Sequence, residues 1–169
     1  MLPDRFETTR LILRPIEPQD APAIFTGYAQ DPEVVRFLIW RPHQGIADSE
    51  AYIARCMAAP PDGSRTYTLI GRDDGRLRGA FELRRPEPHR LDCGYVLART
   101  FWGRGLMTEA LQQVAHWAMR QDGIWGSVLA VTSKTSRLPA SWRRRGSQGR
   151  AYFAAGSSTR MSARSREIG

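Results

Sequence analysis

The sequence predicts an α+β domain in which a mixed, mostly antiparallel sheet is flanked by helices. Apolar residues recur at helical spacing over much of positions 17–58, whereas strand-like alternation dominates positions 66–97. A glycine-rich turn then leads into another helix with one apolar face. The 169 residues suffice for one domain with a sizeable core.

A strand is predicted over Thr9–Ile16, where Leu11 and Leu13 lie on one face. Glu17–Asp20 has the composition of a helix start, and the apolar residues after it follow at helical spacing. The chain therefore opens with a strand followed by an amphipathic helix.

Two more helices are predicted before residue 60. Asp31 followed by Pro32 indicates a helix start, with a carboxylate as N-cap and proline at the first helical position. A third helical pattern covers Ala47–Ala58, and either Asp48 or Ser49 is expected to cap it.

Three strands follow, predicted over Thr66–Ile70, Leu77–Leu83 and Leu91–Leu97. Asp74 and Gly75 form an Asp-Gly pair between the first two strands, which is typical of a hairpin turn. We therefore expect an antiparallel meander.

The last clear helix follows the turn Gly103-x-Gly105. Gly123 is expected to end this helix, and Ser127–Val131 to form a further strand. The predicted apolar face of the helix comprises Met107, Ala110, Leu111, Val114 and Ala118.

The net charge of +8 comes entirely from the end of the chain. Residues 1–132 hold 16 arginines and 16 acidic residues, whereas residues 133–169 hold eight arginines, one lysine and one acid. Serine is also concentrated there, since nine of the eleven serines follow residue 126. Two regions are therefore expected: a core over 1–131 and a basic Arg/Ser-rich tail over 132–169.

Several protein classes are disfavoured by composition. No stretch approaches the run of about 20 apolar residues that spans a membrane. The first ten residues lack the apolar segment of a signal peptide. Cys56 and Cys93 are far apart and lack metal-site spacing, which favours a reduced, cytoplasmic protein without a metal.

The turn Gly103-x-Gly105 is the segment most suggestive of ligand binding. A glycine turn that opens a helix presents unpaired backbone N–H groups at the positive end of the helix dipole, where phosphate binds well. The dinucleotide motif G-x-G-x-x-G is excluded because Thr108 occupies its third glycine position. A plain connection between strand and helix is the alternative.

Four segments together resemble the GNAT acetyltransferase superfamily, and in particular its RimJ/RimL-type branch. They occur in the family's order and spacing within residues 5–131, so the resemblance implies the GNAT acyl-CoA N-acyltransferase fold. The matching segments are Glu7–Pro15, Asp31–Leu38, Asp92–Leu97 and Phe101–Ala110.

The resemblance implies acetyl-CoA as acyl donor. The family's phosphate loop falls on Trp102–Met107, although its two end residues depart from the general pattern. Backbone amides over Gly103–Thr108 would hold the pyrophosphate, and backbone groups of Tyr95–Leu97 would pair with the pantetheine arm like an added strand. The implied donor-binding residues are Tyr95, Val96, Leu97, Trp102, Gly103, Arg104, Gly105, Leu106, Met107 and Thr108.

The implied reaction is direct attack of an amine on the thioester, which requires a base and an acid near the leaving thiolate. Asp92 is the first candidate for the base, because it aligns with the acidic position before Gly-Tyr in the family, and Glu82 is the second. Tyr95 or Cys93 is a candidate for the acid. The alternatives are solvated strand carboxylates and packed core residues, respectively.

Four other aromatic or histidine residues have predicted positions in the fold. Phe37 and Trp40 either line an acceptor pocket or pack in the core. His89 and His116 are expected at the surface.

The tail has the features of a reading-frame product. In a shifted frame, each new codon consists of the third base of one original codon and the first two bases of the next. Read in this frame, Thr132–Ser147 can encode "DVENVASARVLEKAGF", which is close to what the family carries there. The family's last helix and strands are missing from the chain as written. We therefore predict a frameshift near residues 126–132; the alternative is a natural basic extension.

Three functions remain open at this point. The first is an enzyme that acetylates a protein N-terminus or a small-molecule amine. It is expected to be a monomer or homodimer that binds neither a specific nucleic acid nor a membrane. The second is an inactive acetyl-CoA-binding or interaction domain. The third is weak, non-specific nucleic-acid binding through the arginines of the tail.

Overall fold

The computed structural model of the chain describes residues 1–36, 38–122, 124 and the backbone of 126–127. The predictions for Phe37, Gly123, the strand beyond Ser127 and the basic tail lie outside these residues. None of the helices in the described part is long and apolar enough to cross a membrane.

A six-stranded sheet has its strands side by side in chain order. Successive strands pair antiparallel, except that the last strand runs parallel to its neighbour. The predicted α+β class and antiparallel meander are therefore confirmed. The strands are β1 (Phe6–Glu7), β2 (Leu11–Pro15), β3 (Ser64–Gly71), β4 (Leu77–Glu87), β5 (Arg90–Leu97) and β6 (Gly126–Ser127).

In the part of the chain that the structure describes, four α-helical elements flank the sheet: α1 (Ala21–Ile24), α2 (Pro32–Val35), α3 (Ile46–Ala58) and α4 (Leu106–Ala118). A 3₁₀ turn over Pro18–Asp20 leads into α1, and a π-helical turn over Phe25–Ala29 follows it. A second 3₁₀ turn, Arg99–Phe101, lies between β5 and α4. Helical spacing of apolar residues predicted α3 and α4, since that spacing produces the buried face, whereas α2 was predicted from its Asp31–Pro32 start.

Helix starts are confirmed in one case and corrected in another. Asp31 caps α2 as predicted, since its side chain accepts the Glu33 N–H at 2.9 Å. For α3 the predicted cap was wrong, because Gly45 is the N-cap residue. Asp48 instead accepts the backbone N–H groups of Gln44 and Gly45 from within the first turn, at 2.7 and 3.3 Å.

The core has one apolar layer on each face of the sheet. On one face, alternate residues of β2–β5 such as Leu13, Phe81 and Cys93 pack against α4. On the other face, Ala80 packs with residues of α1 and α3. The alternation of side chains along each strand divides these sets. The predicted face of α4 is confirmed as buried.

A buried polar cluster ties α1 to the sheet. Arg14 donates to both carboxylate oxygens of Asp20 at 2.9 and 2.6 Å, and the Thr68 hydroxyl donates to Oδ2 at 2.8 Å. Although burial by itself raises the pKa of Asp20, these bonds and the Glu17 N–H lower it below its usual value. Asp20 is therefore a charged group that the fold fully satisfies.

Candidate active site

The turn before α4 has the backbone conformation that requires glycine. Gly103 has φ +73° and Gly105 has φ +72°, both in the left-handed region. A Cβ atom on Gly103 would meet nothing within 4 Å. Backbone conformation, rather than lack of space, therefore explains glycine at this position.

Helix α4 begins with several N–H groups before its first regular hydrogen bond. Gly105 is the N-cap, and the Glu109 N–H donates to its carbonyl at 3.1 Å. The amides of Leu106, Met107 and Thr108 precede that bond and lie at the positive end of the helix dipole. Since the side chains of Leu106 and Met107 are buried, these residues offer an anion their backbone.

Arg10 connects this turn to the start of β2. Its backbone N–H and its Nε donate to the two carboxylate oxygens of Glu109 at 2.8 and 2.6 Å. Its Nη1 donates to the Arg104 carbonyl at 2.9 Å. Arg10 thus holds both the turn and the first turn of α4.

Two further side chains shape the turn. The Trp102 indole Nε1 donates to the Leu97 carbonyl at 2.8 Å, which ties the turn to the end of β5. The exposed Arg104 guanidinium lies over the Phe101 ring, 5.5 Å from its centroid. Arg104 therefore lies beside the turn with its charge accessible to solvent.

The ladder between β4 and β5 determines which backbone groups face outward. The Ala98 N–H donates to the Arg78 carbonyl at 2.9 Å. Hydrogen-bonded and non-bonded pairs alternate along an antiparallel ladder, so the bonded pair after Arg78–Ala98 is Ala80–Val96. The backbone N–H and C=O of Val96 therefore point to β4, whereas those of Tyr95 and Leu97 point to the opposite edge of β5. Within the predicted pantetheine-binding stretch Tyr95–Leu97, the outward backbone groups are therefore those of Tyr95 and Leu97. Among the described strands, β6 covers that edge only at Arg90 and Leu91.

A cavity of about 610 Å³ lies between α3, the loop before it and the middle of β4 and β5. One wall is aromatic: the rings of Trp40 and His43 are 4.9 Å apart, and that of Tyr52 lies 6.4 and 6.2 Å from them. Trp40 has both of its predicted positions, because it lines this cavity and also packs against the apolar layer that contains Ala80. Other lining residues include Ser64, Thr66, Glu82, Arg84, Gly94 and Tyr95.

Both predicted base carboxylates bind the same guanidinium. Arg84 donates to Glu82 Oε2 at 2.7 Å and to Asp92 Oδ1 at 2.5 Å. The Ser64 hydroxyl donates to the other oxygen of Glu82 at 2.9 Å. Only Glu82 of the two carboxylates is among the described residues that border the cavity.

The two predicted acids lie in different surroundings. Cys93 is fully buried in the core, and burial raises the pKa of its thiol to about 12. Tyr95 borders the cavity and packs against the core beside α4. His89 and His116 are exposed, as predicted.

Sequence reasoning missed His43, which lies on the aromatic wall. Its Nδ1 lies 2.8 Å from the hydroxyl oxygen of Ser49, a fully buried residue of α3. Burial is the main cause that lowers the pKa of His43 below its usual 6.5. No periodic pattern marks a loop histidine; its only sequence signal was the six-residue separation from a serine in a predicted helix.

This combination of a glycine turn opening α4, an outward-facing β5 edge and a cavity beside it defines an acetyltransferase-type fold and site. The chain belongs to the GNAT acetyltransferase domain family, whose model, the Acetyltransferase (GNAT) domain, matches residues 10–137.

Individual relatives agree with this membership. The uncharacterized N-acetyltransferase p20 of Bacillus licheniformis is 28% identical over 110 residues. The match covers 63% of this chain and 61% of that protein. The chain thus spans about three fifths of the length of that curated relative.

Solved structures show the same fold. A GNAT-family acetyltransferase from Bacillus anthracis has a TM-score of 0.60 at 19% identity, over 69% of this chain and 67% of that one. The RimL ribosomal L7/L12 alpha-N-protein acetyltransferase in complex with coenzyme A has a TM-score of 0.58 at 21% identity, over 68% and 67% of the two chains.

Proposed function

We propose that this protein is an acetyl-CoA-dependent N-acetyltransferase that acetylates a primary amine. One observation carries the proposal: the cavity borders β5 at Gly94–Val96, directly before Leu97, whose carbonyl Trp102 ties to the glycine turn. An acyl donor lying along β5 would thus present its thioester to the cavity. Family membership supports acetyl transfer, and the cavity supports an acceptor of limited size.

The donor site uses backbone more than side chains. We assign the pyrophosphate to the amides from Gly103 to Thr108, with Arg104 as an additional exposed cation. The pantetheine amides would pair with the outward backbone of Tyr95 and with the Leu97 N–H, because the Leu97 carbonyl already accepts from Trp102. These positions fit a phosphate at one end and an extended amide chain at the other.

The acceptor site combines one carboxylate with an apolar wall. Glu82 borders the cavity and is held by Ser64 and Arg84, so it can receive an ammonium group without moving. Trp40 and Tyr52 offer aromatic surface to the group that carries the amine. We therefore propose a primary amine on an apolar body, with Asp92 positioning Arg84 and Tyr95 supplying the proton to the thiolate.

Membership of the RimJ/RimL-type branch is the finer proposal, with a protein N-terminal amine as acceptor. The four matching sequence segments and the shared fold of the RimL structure support it. A cytoplasmic protein acting as monomer or homodimer fits this branch.

For the tail, we propose a frameshift near residues 126–132 that separates the core over 1–131 from residues 132–169. The re-read string and the abrupt change of charge support this, and the family match ends at residue 137, inside the tail. Sequencing the coding DNA beyond codon 120 tests it. An open frame encoding the re-read string is the expected result; its absence would make the basic tail native.

Binding and turnover test the function separately. Calorimetry should show saturable acetyl-CoA binding that Gly105→Trp weakens, whereas Gly27→Trp at an exposed glycine leaves it unchanged. Release of free thiol should then report turnover with N-terminal peptides and small apolar amines. A folded chain that binds acetyl-CoA without turnover of any amine would refute the enzyme and support an inactive binding domain.

A further inference from the structure

We infer that His43 is the base that removes the proton from the acceptor ammonium, with Ser49 fixing its ring. This inference rests on the proposed function and adds a catalytic residue outside the segments that resemble the family. It depends on the position of His43 in the wall of the cavity that Glu82 also borders.

The ring is held from three sides. Nδ1 lies 2.8 Å from the Ser49 hydroxyl oxygen, and the backbone N–H of His43 donates to the Ala29 carbonyl at 2.9 Å. The Trp40 ring packs against the imidazole at a centroid distance of 4.9 Å. Nε2 has no hydrogen-bond partner among the residues that the structure describes, and the side chain borders the cavity. We assign the Nδ1 hydrogen as donor to Ser49, which leaves the lone pair on Nε2.

Burial keeps the ring neutral at pH 7, because burial lowers the pKa of His43 below its usual value. Of the nearby charges, Asp48 at the start of α3 raises that pKa and Arg55 on α3 lowers it. Glu82 and Arg84 of β4 border the same cavity, and they are paired with each other.

The remaining titratable groups of the wall stay uncharged. Burial is the first cause that raises the pKa of Tyr52 and of Cys56 on α3. Both therefore remain protonated at neutral pH and do not compete for the proton.

Glu82 makes the contacts of a binding group. One of its oxygens accepts from Arg84 and the other from Ser64, so both oxygens already receive a hydrogen bond and the carboxylate is held in place. In this assignment Glu82 binds the acceptor ammonium group and His43 removes its proton.

The reaction balances with these groups and acetyl-CoA alone. Nε2 takes one proton from R–NH₃⁺, and the freed lone pair attacks the thioester carbonyl carbon to form the C–N bond. The C–S bond breaks with its electron pair passing to sulfur. Tyr95 then gives its hydroxyl proton to the thiolate and regains one from the second proton that the nitrogen loses, and His43 returns its own proton to solvent.

The test compares His43→Gln with His116→Gln, an exposed histidine on α4, using the amine that the wild-type chain acetylates best. We expect His43→Gln to lower kcat by about a hundredfold or more, the range of general base catalysis, with unchanged acetyl-CoA binding. In the wild type, kcat/KM should rise with pH through the pKa of His43, at the same pH for two amines of different basicity. That limb should vanish in His43→Gln, and imidazole should partly rescue His43→Ala.

Each outcome separates the two proposals. The role of His43 is overturned if His43→Gln turns over as fast as the wild type, or if its kcat/KM still rises with pH as in the wild type. Either result leaves the proposed function standing. A wild-type chain without turnover overturns both. Nitrogen-15 spectra of the histidine rings provide a readout independent of variants, because a ring protonated on Nε2 at pH 7 would overturn the assignment, whereas one protonated on Nδ1 supports it.

Discussion

Arg10 and Glu109 join the start of β2 to the first turn of α4 by two hydrogen bonds, one from the backbone and one from the side chain of the arginine. The two residues are 99 positions apart in the chain. The same arginine reaches the Arg104 carbonyl inside the glycine turn. The conformation of the proposed phosphate site is therefore fixed from outside the loop itself.

Glu109→Gln should loosen this connection. Removing the charge weakens both bonds from Arg10, which we expect to cost about 1 kcal/mol and lower Tm by about 2–4 °C. Acetyl-CoA affinity should fall with it, because the turn loses its support. Thermal denaturation and calorimetry measure the two effects, with Glu50→Gln on the exposed side of α3 as the control. Equal affinity in both variants would mean that the turn holds its conformation without Arg10.

Gly103→Ala separates backbone conformation from crowding. A Cβ there meets no neighbour, so any loss arises from forcing alanine to φ +73°, a cost of about 1–2 kcal/mol. If the turn relaxes instead, its amides move and acetyl-CoA binding weakens. Gly27→Ala is the matched control, since a Cβ there also meets nothing and its backbone is helical. Stability and binding equal to that control would contradict the prediction.

Glu82→Gln and Asp92→Asn should differ although both lose a bond to Arg84. Glu82 borders the cavity, so its loss should raise the KM of the amine and lower kcat/KM by at least tenfold, about 1.4 kcal/mol. Asp92→Asn should have the smaller effect, because Asp92 acts through Arg84. Steady-state kinetics with one amine and saturating acetyl-CoA decide this. A larger loss in Asp92→Asn would return the leading role to the carboxylate that the sequence favoured.

Asp20→Asn should destabilise the fold and change its response to acid. The folded state lowers the pKa of Asp20, so its stabilisation is complete above the pKa of the unfolded chain and is lost as pH falls through the folded value. We expect a loss of about 3 kcal/mol at pH 7, which shrinks as the pH falls below 4. Urea denaturation between pH 3 and 7 measures it, with exposed Asp62→Asn as the control. A pH-independent difference would show that packing, rather than charge, stabilises this cluster.

Local patterns located most helices and strands. The apolar spacing in α4, the Asp31–Pro32 start of α2 and the Asp-Gly turn between β3 and β4 all act through neighbours a few residues apart. The cap of α3 was the exception, because a glycine in extended conformation precedes the helix and Asp48 bonds backward from inside it. Asp48 and Ser49 were the plausible capping residues by type, but the path of the preceding loop starts the helix after Gly45.

The sequence by itself determined the α+β class, the glycine turn and the family, because each depends on short segments whose residue types carry the signal. It also separated the neutral core from the basic tail by charge. Tertiary structure alone decided that Arg84 bonds both Glu82 and Asp92, and that the backbone of Val96 points to β4. It also decided that the imidazole of His43, which borders the cavity, lies against the Ser49 hydroxyl. These contacts depend on strand register and on the packing of a loop against α3, and both arise only when distant segments pair in the folded chain.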